Sequence, residues 1–196
     1  MAMATEKAAL LIVDVQKDFC PGGTLPAPGG NSIIPALNHH LAEAREHDIP
    51  VYASRDWHPG VTSHFQEYGG EWPPHCVQGS TGAQFHGDLK LPADAIVISK
   101  GDDPATQGYS AFDGHTSDGK TLLHDLRDRH VTRLYVGGIA TDYCVKATAL
   151  DALHAGLEVL ILDDAITGID VHPGDANRAL EEMSKAGAKV VDSLAA

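Results

Sequence analysis

The feature that most constrains this chain is a repeated alternation of two hydrophobic periods. Short runs apolar on both faces occur at Ala8–Val13, Pro50–Ser54, Ala95–Ser99, Arg133–Gly137, Leu157–Leu162 and Ala188–Val191. A strand with no polar face must be covered on both sides, and a parallel sheet between two helical layers is the arrangement that covers it. The intervening segments carry the helical period and its stop signals. Asn31 or Ser32 can cap a helix whose apolar face is Ile33, Leu37 and Leu41, ending near His47-Asp48 before Pro50. A second runs from Thr121 to Arg129. A third begins around Asp142, carries Val145, Ala149 and Leu153, and stops at Gly156; a fourth spans Pro173 to Ala186 before Gly187. The pattern predicts one doubly wound α/β domain over residues 1–196, with a six-stranded, mostly parallel sheet flanked by helices and a flexible start over 1–7.

Asp56 to Leu89 breaks the alternation. This stretch is rich in Gly, Pro, His and aromatic residues and has no sustained period. A long irregular insertion after the second strand of a compact domain is usually functional. Length and charge narrow the class of partner. At 196 residues the chain supports one sizeable core, and 14 Lys+Arg against 27 Asp+Glu leave a formal charge of −13. Without a basic block, neutralising nucleic-acid phosphates is excluded, and no apolar run approaches the roughly 20 residues of a membrane helix. The start lacks the layout of a signal peptide, and three cysteines without a C-x-x-C pair point to reduced thiols, so the expectation is a cytoplasmic protein. Self-association into a homo-oligomer is left open.

In open parallel sheets ligands bind beyond the carboxyl ends of the strands. Four reactive side chains fall on that rim: Asp14 ends the first strand, Asp56 follows the second, Lys100 ends the third, and Cys144 opens the helix after the fourth. An acid or lysine there can equally be a solvated loop residue, and a free cysteine can be a small buried hydrophobe. As a nucleophile, Cys144 is expected to have its thiol pKa lowered by the helix N-terminus, and so to label with alkylating agents before Cys20 and Cys76. Gly137-Gly138-Ile139-Ala140 before it exposes backbone N–H groups able to bind an oxyanion, or is simply a tight turn.

Asp56 and His58 lie two apart in an extended segment and point to one side, and His64 and His75 lie in the same insertion. Imidazoles with a carboxylate suit one divalent transition metal, zinc foremost, with iron or manganese also compatible. The other histidines, including His39, His40 and His86, are read as ordinary helix or loop residues.

In order along the chain stand Asp14-Val15-Gln16-Lys17-Asp18-Phe19, Pro21-Gly22-Gly23, Arg55-Asp56-Trp57-His58-Pro59, Trp72-Pro73-Pro74-His75-Cys76, Ser99-Lys100-Gly101, Tyr109-Ser110-Ala111-Phe112 and Gly138-Ile139-Ala140-Thr141-Asp142-Tyr143-Cys144-Val145. From Ala8 to Val191 the chain thereby resembles the nicotinamidase branch of the isochorismatase-like cysteine hydrolases. The resemblance implies a catalytic triad of Asp14, Lys100 and Cys144, and an oxyanion hole from the N–H groups of Ala140 and Cys144 beside a cis Ile139–Ala140 peptide. It implies metal ligands Asp56, His58 and His75, with His64 a ligand in some members and merely close in others. Phe19, Trp72, Tyr109, Ile139 and Ala140 would line the substrate pocket. The implied reaction is hydrolysis of nicotinamide to nicotinate and ammonia through a cysteine thioester in NAD salvage, with pyrazinamide as a second substrate.

Other classes account for less of the chain. A related amidohydrolase for another small amide would work without the metal. A phospho-accepting signalling domain also places an aspartate and a lysine at strand ends, but it leaves Cys144 and the histidine-rich insertion without a role. A plain metal-binding protein leaves Cys144 unexplained.

Overall fold

A computed structural model describes residues 7–194. Six strands, β1 (Ala8–Val13), β2 (Val51–Asp56), β3 (Ile96–Lys100), β4 (Arg133–Ile139), β5 (Glu158–Thr167) and β6 (Lys189–Val191), form one sheet in the order β3-β2-β1-β4-β5-β6. Every pairing is parallel. The alternation of side chains along β1 feeds two cores: Leu10 and Ile12 pack under α1 (Ile34–Glu46), while Ala9, Leu11 and Val13 face α2 (Leu122–Asp128), α3 (Lys146–His154) and α4 (Asp175–Ala186). Burial on both faces is what the two-sided apolar runs required.

The strands differ from expectation mainly at their carboxyl ends, where the site lies. β2 reaches Asp56 and β3 reaches Lys100, and the register sets these two residues side by side. β5 continues through Asp163 and Asp164 to Thr167 because its pairing with β4 shifts between Val136 and Gly138, which lets an exposed acidic pair pass before the strand resumes. Gly138, at φ +128°, sits so close to the Val13 carbonyl that a Cβ would overlap it.

Thr121 caps α2, its hydroxyl accepting the His124 N–H at 3.3 Å. Neither Asn31 nor Ser32 caps α1, which starts at Ile34 with a proline in its first turn. The predicted third helix opens with a π-turn, Thr141–Val145, before α3 begins at Lys146. Met1–Glu6, most of the start expected to be flexible, lie outside the described residues. Lys7 is held, its carbonyl accepting the N–H groups of Thr132 and Arg133. His40 differs from its ordinary reading: it is fully buried, with its ring nitrogens 2.9 Å from Glu43 and 2.8 Å from Asp164. Among the described residues no helix is long and apolar enough to cross a membrane.

Candidate active site

The strand order reverses between β1 and β4, so the crevice is expected beyond their carboxyl ends. The four rim residues meet there. Lys100 is fully buried, with its ammonium 2.8 Å from Asp14 Oδ2, paired with Asp56 Oδ1, 3.0 Å from the Gly108 carbonyl and 3.4 Å from Cys144 Sγ. Asp14 ends β1 at φ +50°, and its Oδ1 accepts the Ser54 hydroxyl at 2.7 Å. Beyond the Lys100 ion pair, Asp14 Oδ2 has no hydrogen-bond partner.

Burial dominates the protonation of this cluster. Removal from water raises the Asp14 carboxyl, opposed by Lys100 and reinforced by the Asp56 charge. Burial also favours the neutral form of Lys100, but the two carboxylates override it and hold the ammonium charged well above the ordinary lysine range. For Asp56 burial acts upward, yet Lys100, with His58 and His75 behind it, keeps the carboxyl well below the usual range. The Cys144 thiol goes up, not down, because it is buried and faces Asp14 and Asp56, and Lys100 only partly compensates. The expected helix-terminal depression is therefore corrected. Burial likewise raises Cys20 to about 11 and Cys76 well above the thiol range, so thiolate content does not single out Cys144. All three cysteines are free.

The insertion folds back across this cluster through short bridges, His58 with Val77 and Phe65 with Trp72. It brings one ring nitrogen each of His58, His64 and His75 within 4.8 Å of one another, so His64 joins the pair that the sequence placed more firmly. Each Nδ1 already faces an oxygen: Gly101 O at 2.8 Å for His58, Gln107 Oε1 at 2.8 Å for His64 and Pro73 O at 2.7 Å for His75. A carbonyl oxygen can only accept, so each Nδ1 carries a proton, which leaves each Nε2 as the nitrogen able to ligate. His58 Nε2 is buried without a hydrogen-bond partner. Asp56 Oδ2 lies 3.5 Å from His58 Nε2 and 3.8 Å from His75 Nε2. Burial lowers His64 to about 4, with the neighbouring His58 adding to the shift, and burial also lowers His75. Three clustered imidazole nitrogens and an adjacent carboxylate fit a divalent transition metal.

Between the thiol and the imidazoles lies a narrow cleft with Asp56, His64, His75 and Cys144 on its walls. Phe19, Trp72, Tyr109, Ile139 and Ala140 line it, and Trp72 Nε1 donates to the Tyr109 hydroxyl at 2.9 Å. The Ile139–Ala140 peptide is cis. A wider open groove at the other end of the strands, between Lys7, Arg45, Asp94 and Arg133, contains none of these groups.

Sequence reasoning missed three wall residues, Leu25, Tyr143 and Ile169. Tyr143 had a signal, being next to Cys144 and stacked edge-on to Trp72 at 5.0 Å. Ile169 had none, since the Asp142 carboxylate brings it in from beyond β5 by accepting the N–H groups of Ile169 and Asp170. Phe65, fully buried beneath the three imidazoles, and Asp18, which accepts the Cys76 N–H at 2.8 Å, were also missed.

A doubly wound parallel sheet whose rim gathers a cysteine, a lysine and a carboxylate has the frame of an α/β enzyme with its site at the switch point of the sheet. The isochorismatase domain model matches residues 8–194, and the chain belongs to that family. It is 42% identical over 196 residues to the nicotinamidase of Escherichia coli, with 92% of each chain covered. It is 43% identical over 188 residues to the nicotinamidase/pyrazinamidase of Mycobacterium tuberculosis, covering 94% of this chain and 98% of that one. Among solved structures, the pyrazinamidase of Pyrococcus horikoshii in complex with zinc superposes with a TM-score of 0.87 at 48% identity, over 94% of this chain and 98% of the other.

Proposed function

We propose that this protein is an amidohydrolase that converts nicotinamide to nicotinate and ammonia, serves NAD salvage, and also hydrolyses pyrazinamide. The observation that carries the reading is the opposition of two groups across one aromatic-walled cleft: the Asp14–Lys100–Cys144 cluster, reaching it through Cys144, and the His58–His64–His75 cluster, reaching it through His64 and His75. The names of the relatives at 42% and 43% identity support the substrate.

The chemistry follows from the protonation states. Cys144 rests as a thiol, so it needs a base, and burial makes Asp14 a stronger base than an exposed carboxylate. Asp14 takes the thiol proton as Sγ attacks the carboxamide carbon, and the N–H groups of Ala140 and Cys144 take the developing oxyanion. Lys100 keeps the cluster from accumulating uncompensated negative charge. The proton passes from Asp14 to the leaving nitrogen, the C–N bond breaks, and ammonia departs from a thioester. Water then attacks the thioester carbon, giving its proton to Asp14, and the thiol is restored as the acid leaves. Phe19 and Trp72 hold the flat ring between them, and Tyr109 closes the wall.

Asp56, His58, His64 and His75 are the residues we assign to one zinc ion. Bound there, the metal supplies a Lewis-acidic anchor that orients the pyridine nitrogen. We further propose that residues 1–196 act as one domain, in the cytoplasm, where three free thiols stay reduced.

Ammonia release from nicotinamide tests the reading, measured for intact protein, its Cys144→Ala variant and a chelator-treated sample. Turnover by the intact protein, abolished in Cys144→Ala and reduced by chelation, is expected. No release by metal-loaded intact protein would overturn the assignment and favour an amidase for another amide, and turnover unaffected by chelation would overturn the role of the metal.

A further inference from the structure

The side chain of Gln16 touches neither the thiol nor the cleft, yet it is fully buried and commits both ends of its amide to one residue. Its Oε1 accepts the Asp56 N–H at 2.7 Å, and its Nε2 donates to the Asp56 carbonyl at 2.8 Å and to the Ala83 carbonyl at 2.9 Å. The first two bonds close a ring with the Asp56 backbone, as a neighbouring strand would. No strand does so on that side, because β1 has already turned away: Asp14 is left-handed, and the Gln16 N–H folds back to the Asp14 carbonyl at 2.7 Å. The last backbone bond from this segment to β2 is Asp14 N–H to Ser54 O. On its other side Asp56 is fixed by its pairing with Lys100 in β3.

Asp56 needs this second constraint because its carboxylate is shared. Oδ1 meets Lys100, while Oδ2 stands between His58 and His75. A small tilt of the peptide would turn Oδ2 away from the imidazoles with Lys100 still paired. The third bond, to Ala83, ties the far end of the insertion to the same amide. We propose that Gln16 is a positioning residue for the metal centre, clamping the Asp56 backbone so that Oδ2 is held at the imidazole cluster. This rests on Asp56 being a metal ligand, as assigned above. Outer groups that orient metal ligands typically change affinity 10–100-fold when removed.

The test is Zn²⁺ affinity of chelator-stripped protein, measured by competition with a chromophoric chelator. Gln16→Met is expected to weaken Zn²⁺ binding about 10–100-fold. Leu126→Ala, a truncation of the fully buried Leu126 in α2, is expected to lower thermal stability and leave Zn²⁺ affinity unchanged. Affinity retained in Gln16→Met, or lost equally in Leu126→Ala, would overturn the proposal. Asp56→Ala separates the two claims: if it binds Zn²⁺ as tightly as the native chain, the ligand assignment falls and this inference with it. If only Asp56→Ala loses affinity, the Gln16 role alone fails. A second readout avoids the variant's folding altogether. In the native protein, the Gln16 side-chain amide and the Asp56 backbone amide are expected to shift in NMR spectra up to one equivalent of Zn²⁺, while the half-buried Asn38 side-chain amide, held by Asp88 and Lys90, does not move. An unmoved Gln16 resonance would refute the clamp.

Discussion

Replacing Lys100 with methionine keeps the length of the side chain and removes the one charge that balances two buried carboxylates. Asp14 and Lys100 are fully buried and Asp56 is 4% exposed, so water cannot take over the role of the ammonium. At 2.8 Å and an effective dielectric of about 20, the Lys100–Asp14 attraction alone is about 6 kcal/mol before the cost of dehydrating both groups. Breaking such a pair by removing one partner typically costs about 3–5 kcal/mol, because the remaining charge stays buried. For a chain of this size that corresponds to a melting temperature lower by about 6–20 °C. The pH dependence carries the sharper test. In the native protein Asp56 lies below its unfolded pKa, so its contribution is present above about pH 4 and is lost on acidification. Without Lys100 the carboxyls sit above their unfolded values, and the folded variant binds more protons than the unfolded chain near neutrality. The variant therefore gains stability as pH falls from 7 toward about 4, and the gap to the native protein narrows. Denaturant unfolding of metal-free protein at pH 7.5 and pH 5 measures this. A loss under about 1 kcal/mol, or an equal loss at both pH values, would refute the claim that Lys100 neutralises two desolvated carboxylates.

Other outcomes follow from the same geometry. Cys144→Ala should lower kcat/KM more than about 10³-fold in an ammonia-release assay while melting within a few degrees of the native protein, since the Lys100 ion pairs remain. Gly101→Ala should both destabilise the protein and reduce bound metal measured by atomic absorption: the new Cβ would fall 2.5 Å from His58 Cε1, at a φ of +70° that suits glycine. In metal-free protein, stability should fall as pH drops from about 6.5 to about 4, because the unfolded chain protonates first while burial holds His64 at about 4. Replacing His64 with glutamine should flatten that slope in denaturant titrations, and an unchanged slope would count against a buried neutral imidazole.

The ordered motifs were legible because each is local. Strand ends, helix stops and the D-x-H spacing are set by neighbours within a few residues, and they placed Asp14, Asp56, Lys100 and Cys144 on one rim, with His58 on the same side as Asp56, without coordinates. His64 was harder to read, since its place beside His58 and His75 depends on how the insertion folds back through the His58–Val77 and Phe65–Trp72 bridges. Ile169 and Leu25 were invisible for a similar reason: loops distant in sequence meet only after the sheet has formed.

By itself, then, the sequence determined the covered parallel sheet, because runs apolar on both faces have no other stable surroundings, and it determined which reactive residues stand at the strand ends. What only the tertiary structure decided is their state. The parallel register put Asp56 beside Lys100, and burial raised the thiol of Cys144 where its helix position alone predicted a lower value. Desolvation and the approach of charges from four strands are long-range quantities, and no local pattern of residues encodes them.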